Sequence, residues 1–302
     1  MISRRYHRVA LVTVFVLALV AGVVVGAVGL PQRIASTVAA RTDTGEVAQL
    51  RAERDTLAAQ QRATDDFTTR IAPGLVRDTL AGVPVTVVAL GAEPADTRAV
   101  TDLVTAAGGT VASHVALSPA VTDPARADQL RDLSARLLPS GAQLPTSSDA
   151  GTLAGGLLGA ALLAPADAPA PDPQQAGAVL AGLAGAGFAD QPAGEPAAGR
   201  LAVVVTGGAY DGVDAAGSAA TAAALAAELD RRGAGAVLAG RDASPAAPVG
   251  AARAHPGPLS TVDGVGTGAG RLATVLALAE RHAGRTGQYG TGAGSTAPVP
   301  SV

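Results

Sequence analysis

The 302-residue chain has no cysteine, no tryptophan and no lysine, and its one methionine is the initiator. Without cysteine there is no disulfide framework, no thiolate metal site and no cysteine nucleophile. With Met1 as the sole thioether, the soft donors that hold copper(I) are missing, which argues against a copper-chaperone type of site. The absence of lysine removes the phosphate-reaching residue of a P-loop, and every fixed positive side-chain charge is an arginine. Three Phe and three Tyr leave little material for base-stacking platforms or for the aromatic girdles of an outer-membrane barrel. A formal net charge of −3 gives no basic footprint for nucleic acid, which is excluded as a partner. The histidines, His7, His114, His255 and His282, are spread too far apart for a ligand motif, and no resident metal or cofactor is expected.

What is present begins with an apolar run. Val9 to Leu30 carries no charge and follows a basic head that includes Arg4, Arg5 and Arg8. As a helix the run reaches roughly 33 Å, enough to cross a hydrocarbon core of about 30 Å. The arginines predict a cytoplasmic head over residues 1–8, a transmembrane helix over 9–30, lipid as a partner, and everything after Pro31 outside the cytoplasm. A cleaved secretory signal is the alternative, since Val38-Ala39-Ala40 places small residues where a signal peptidase reads; either way the bulk is exported. Gly22 and Gly26 have the G-x-x-x-G spacing of helix packing in membranes.

Residues 42–72 read as a polar helical stalk with a seam alternating three and four at Val47, Leu50, Arg54, Leu57, Gln61, Thr64, Thr68 and Ile71. Half the seam is polar, so a coiled-coil-like dimer and a plain solvated helix both remain open. Arg51 and Asp55 can pair one turn apart, and Pro73-Gly74 is expected to end the helix.

From Val83 the period changes. Val85 to Leu90 reads as a strand, Pro94 to Ala107 as a helix, Thr110 to Leu117 as a strand and Pro124 to Leu138 as an amphipathic helix, giving a βαβα unit. Leu153 to Leu163 and Gln174 to Ala186 look helical. Leu201 to Thr206 (LAVVVT) is a fully apolar strand of the kind buried in a parallel sheet, followed by a helix over Asp214 to Arg232, a strand at Gly235 to Leu238 and a last helix over Arg271 to Ala283. The fold class expected is α/β, a Rossmann-like or flavodoxin-like sheet with helices on both faces, spanning residues 83–285, with residues 286–302 a flexible Gly/Ser/Pro tail.

Several local features carry chemistry-bearing residue types. Gly207-Gly208 between strand and helix could seat a phosphate on a helix N-terminus, but no G-x-G-x-x-G register follows, and a βα turn needs glycine for its backbone alone. Gly264, Gly266, Gly268 and Gly270 form a second, turn-like cluster. Ser260, His255 and Asp263 are the types of a hydrolase triad, yet a Pro/Gly-rich loop offers no framework to converge them. Asp65-Asp66 reads as a solvated face of the stalk. No catalytic residue is assigned.

The C-terminal part is more specific. Ser260-Thr261-Val262-Asp263, Thr267, a helix ending LALAE, and Gly287-Gln288-Tyr289-Gly290-Thr291-Gly292 together resemble the mycobacterial and actinobacterial copper transport protein MctB family. The MISRRYH head running into the apolar helix, the stalk, Ile71 to Leu80, the Gly108-Gly109 turn and Gly155 to Leu163 are similar to the same family. The resemblance covers nearly the whole chain and departs around Gly264 and Gly266, near which family members carry Asn and Asp. Ser260, Val262, Asp263, Thr267, Gly287, Tyr289 and Gly290 are thus family-motif positions without an assigned role. The resemblance implies a cell-envelope protein of the outer membrane, pore-forming, lowering intracellular copper, with copper ions as cargo and no catalytic residues. A channel of this kind would need oligomers, since α/β elements cannot close into a porin wall. The alternative of a different class is a bitopic scaffold whose stalk and α/β domain recruit an envelope protein.

Overall fold

A computed structural model describes residues 46–164, 169–255 and 257–301. The head (1–8), the apolar run (9–30) with Gly22 and Gly26, His7 and the Val38-Ala39-Ala40 segment lie outside the described residues. Among the described residues, no helix is long and apolar enough to cross a membrane.

Two compact units divide the chain, residues 1–63 and 64–302. In the first, every described residue is exposed and helical. Val47, Leu50 and Leu57 are 42%, 58% and 58% exposed, so this stretch of the seam packs against nothing among the described residues. Asp55 does not pair with Arg51 as expected. It takes the guanidinium of its neighbour Arg54 instead, Nη2 to Oδ1 at 2.6 Å, since both side chains stand in solvent where the nearest donor wins.

Helix α1 covers residues 46–75 and so runs two residues past Pro73, beyond the stop expected at Pro73-Gly74. Ala72, Val76 and Leu80 bury themselves in the core below, and that burial holds the last turn in place against the lost backbone donor.

The second unit alternates strands and helices. In chain order these are β1 (Pro84–Leu90), α2 (Pro94–Ala106), β2 (Thr110–Leu117), two short 3-10 turns (Pro119–Thr122 and Pro124–Arg126), α3 (Ala127–Arg136), α4 (Ala150–Leu162) and α5 (Pro173–Gly185). Then come β3 (Leu201–Thr206), α6 (Ala215–Arg232), β4 (Ala236–Ala239), α7 (Pro248–Ala254), β5 (Ser260–Val262), α8 (Gly268–His282) and β6 (Gln288–Tyr289). All strand pairs are parallel, in the order β2-β1-β3-β4-β5-β6. The first five follow the 2-1-3-4-5 order of flavodoxin-type doubly wound sheets.

The two faces have separate cores, as the period of two requires. Val88, Leu90, Ala202, Val204 and Leu238 pack under α3, α4, α5 and α6, while Val85, Val87, Val203, Val205 and Val237 pack under the end of α1, α2 and α8. Strand β3 is buried at every residue, which is why it reads as an unbroken apolar run. On the first face α4 lies directly on α6. A Cβ at Gly151 would stand 2.1 Å from the Thr221 carbonyl oxygen and one at Gly155 2.6 Å from that of Leu225. Gly151 and Gly155 therefore serve backbone contact between two helices of the domain.

Both sheet edges are covered. Asp190 N donates to Ala116 O (2.8 Å) and Ala197 N to Ala112 O (3.2 Å) along β2. On the other side Thr296 N donates to Gln288 O (2.7 Å) and Gly290 N to Ala297 O (3.0 Å). The stretch from 286 on thus differs from the flexible tail expected of its composition: it supplies the edge strand β6, whose Tyr289 is 7% exposed, and then folds back over it. Glycine and serine here meet tight backbone requirements.

Candidate functional site

Of the family-motif positions, Asp263, Thr267 and Gly290 gather at the carboxyl ends of β5 and β6, the end of a parallel sheet at which binding crevices form, while Ser260 and Gly287 stand at the amino ends of these short strands. Asp263, directly after β5, is the centre. Arg253 of α7 donates from Nη1 to Asp263 Oδ2 at 2.7 Å, with the two side chains 4% and 7% exposed. The backbone N–H groups of Thr291 (2.9 Å to Oδ1) and Gly292 (3.1 Å to Oδ2) complete the carboxylate's shell. Arg253 spends its other donors on Tyr289 O (2.7 Å), Ala293 O (3.0 Å) and Thr261 Oγ1 (2.9 Å). The pair is thus fully hydrogen-bonded, the condition under which a buried ion pair is tolerable. Gly290 sits at φ +124°, and a Cβ there would fall 2.3 Å from the Asp263 carboxyl group.

The remaining motif residues support this knot. Ser260 is fully buried, and its hydroxyl accepts from Gly287 N at 3.2 Å. Val262 is core. Thr267 caps α8, accepting from Gly270 N at 3.1 Å and donating to Gly264 O at 2.8 Å, so α8 begins at Gly268 rather than at the expected Arg271. The Tyr289 hydroxyl donates to the buried carboxylate of Glu280. Burial first, and then that hydrogen bond and the carboxylate's charge, push the phenol up to about 12. The triad residue types do not act together: Ser260 and Asp263 are engaged as described, and His255 is exposed with Nδ1 3.4 Å from its own helix's Ala251 O.

A second ion cluster lies beside it. Asp96, fully buried in the first turn of α2, accepts from Arg241 Nε (2.6 Å) and Arg271 Nη2 (2.8 Å). Burial works to raise its pKa, but the bonds and charges of the two guanidinium groups outweigh it and hold the carboxyl below the ordinary Asp value. Arg271 is fixed in turn by Val265 O and Gly266 O, both at 3.0 Å. Neither Arg241 nor Arg253 stood out in the sequence; the available signal was a lone arginine between alanines, as in Ala252-Arg253-Ala254, inside a segment that packs.

Asp65, read as a solvated face, is a correction. Its carboxylate accepts from the Gly268 backbone N–H at the start of α8, where a negative charge opposes the helix dipole favourably; Asp66 is exposed. Gly207-Gly208 does not lead into a helix N-terminus, because α6 starts only at Ala215. A Cβ at Gly207 would stand 2.5 Å from Gly91 O, so the glycine lets the β1 and β3 loops touch and closes the crevice where the strand order reverses.

Open space lies next to that closed point. A cavity of about 620 Å³ follows the carboxyl ends of β1 and β2, lined among others by Thr97, Arg98, His114, Ser118 and Asp190. Among the described residues, no group of three or more His, Asp or Glu is placed to hold a metal ion.

The comparison with known proteins decides the family. The family described as "Copper transport outer membrane protein, MctB" matches over residues 1–300. This chain belongs to the MctB family. Relatives named Copper transporter MctB from Mycobacterium bovis and Mycobacterium tuberculosis are 38% identical to it over 309 aligned residues, covering 98% of each chain. The MctB relative of Mycobacterium leprae is 35% identical over 325 aligned residues with the same coverage. The MctB match takes in both the N-terminal run and the Asp263 knot, the two regions that carried the resemblance in the sequence.

Proposed function

We propose that this chain is a cell-envelope component of copper transport that helps keep intracellular copper low. Its relatives carry the name of copper transporters along their whole length. The observation that shapes the reading is the parallel sheet with both edges covered: such a domain cannot supply the wall of a closed barrel. The conducting path is therefore assigned to residues 9–30, crossing the membrane as helices and assembling through Gly22 and Gly26, with the α/β domain as a rigid head outside the cytoplasm. Copper is cargo. Cells lacking the chain should accumulate copper, and restoring residues 41–302 alone should not lower it; rescue by that fragment would refute the assignment of the path.

A second reading is favoured by the exposed seam. Val47, Leu50 and Leu57 stand in solvent, as a helix awaiting another helix would. A bitopic scaffold that dimerises through this stalk and recruits an envelope protein would conduct nothing, and a silent but folded and inserted protein would decide for it.

A further inference from the structure

The cavity beside β1 and β2 combines the size of a ligand pocket with both signs of charge. Arg98 of α2 and Asp190, in the segment that covers the edge of β2, both line it, and among the described residues neither side chain has an ion-pair or hydrogen-bond partner. The neighbouring Asp96 is saturated by Arg241 and Arg271 and does not compete for Arg98. Much of the remaining wall is small, with Gly91 and Ala116 giving way to the backbone at the strand ends. An anion alone would meet the Asp190 carboxylate, and a cation alone the Arg98 guanidinium; a molecule carrying both charges satisfies the two walls together.

We propose that this cavity binds a small zwitterion, an amino acid or short peptide with free ends, its carboxylate at Arg98 and its ammonium at Asp190. The site is independent of the copper path assigned above.

The test is isothermal titration calorimetry of the full-length protein in detergent with alanylalanine, beside the N-acetylated dipeptide, which lacks the ammonium, and the dipeptide amide, which lacks the carboxylate. Saturable binding is expected for alanylalanine, weakened about tenfold or more by either block and by Arg98→Ala or Asp190→Ala. Both side chains are at the surface, so these variants should melt with the parent. No saturable heat up to about 10 mM, or binding indifferent to the blocked ends and to the two substitutions, would overturn the proposal.

Discussion

Arg253 and Asp263 form a buried pair at 2.7 Å that ties α7, β5 and the chain after β6 into one knot. Removing one partner strands the other charge, and breaking a buried pair of this kind costs about 3 to 5 kcal/mol. Arg253→Ala and Asp263→Ala should each lower the unfolding free energy by about that much in a denaturant titration, and the double variant should lose less than the sum. Equal and additive losses below about 1 kcal/mol would show the knot to be incidental.

Gly290 stands at φ +124° against the Asp263 carboxyl group. Any side chain there meets both backbone strain and a collision, so Gly290→Ala should destabilise by about 2 kcal/mol or more. Gly185, with nothing near its Cβ position, should accept alanine with little effect. Thermal unfolding of the two variants side by side makes the comparison.

The acid limb of the stability curve should carry the mark of Asp96. Its folded-state value is depressed, so its contribution is fully present above the ordinary Asp value of about 4 and is lost as the pH falls through the lower folded-state value. Asp96→Asn should be less stable than the parent at neutral pH by about 2 to 3 kcal/mol, discounting the half-exposed Arg241, and the gap should close toward acid. A gap that persists unchanged at low pH would assign the loss to shape rather than charge.

Adjacent aspartates should behave differently. Asp65→Ala removes the acceptor from the start of α8 and should cost about 0.5 to 2 kcal/mol, whereas Asp66→Ala should stay within about 0.5 kcal/mol. Chemical denaturation of both variants measures the difference directly.

The sheet was legible because β1 and β3 are apolar apart from Thr86 and Thr206, and α2 and α6 begin and end at Pro, Asp and Gly signals. Strands β5 and β6 were hidden, being three and two residues long and embedded in Gly/Pro/Ser composition that reads as loop. Their pairing is fixed by Asp263, Arg253 and Tyr289 from distant segments, a tertiary cause that no local period records. The Asp65 contact escaped for the same reason: its partner, Gly268, lies some two hundred residues away. The positions singled out by family resemblance, Ser260, Asp263, Thr267 and Tyr289, are placed by the structure in hydrogen-bonded roles, which composition alone had left blank.

Single-channel recording in a planar bilayer tests the central claim most directly, with the full-length protein beside a truncation retaining Arg41 to Val302. Discrete conductance steps from the full-length protein, and none from the truncation, are the expected result. Steps that survive truncation, or silence from a full-length protein shown to be folded and inserted, would contradict a path built from the residue 9–30 helices.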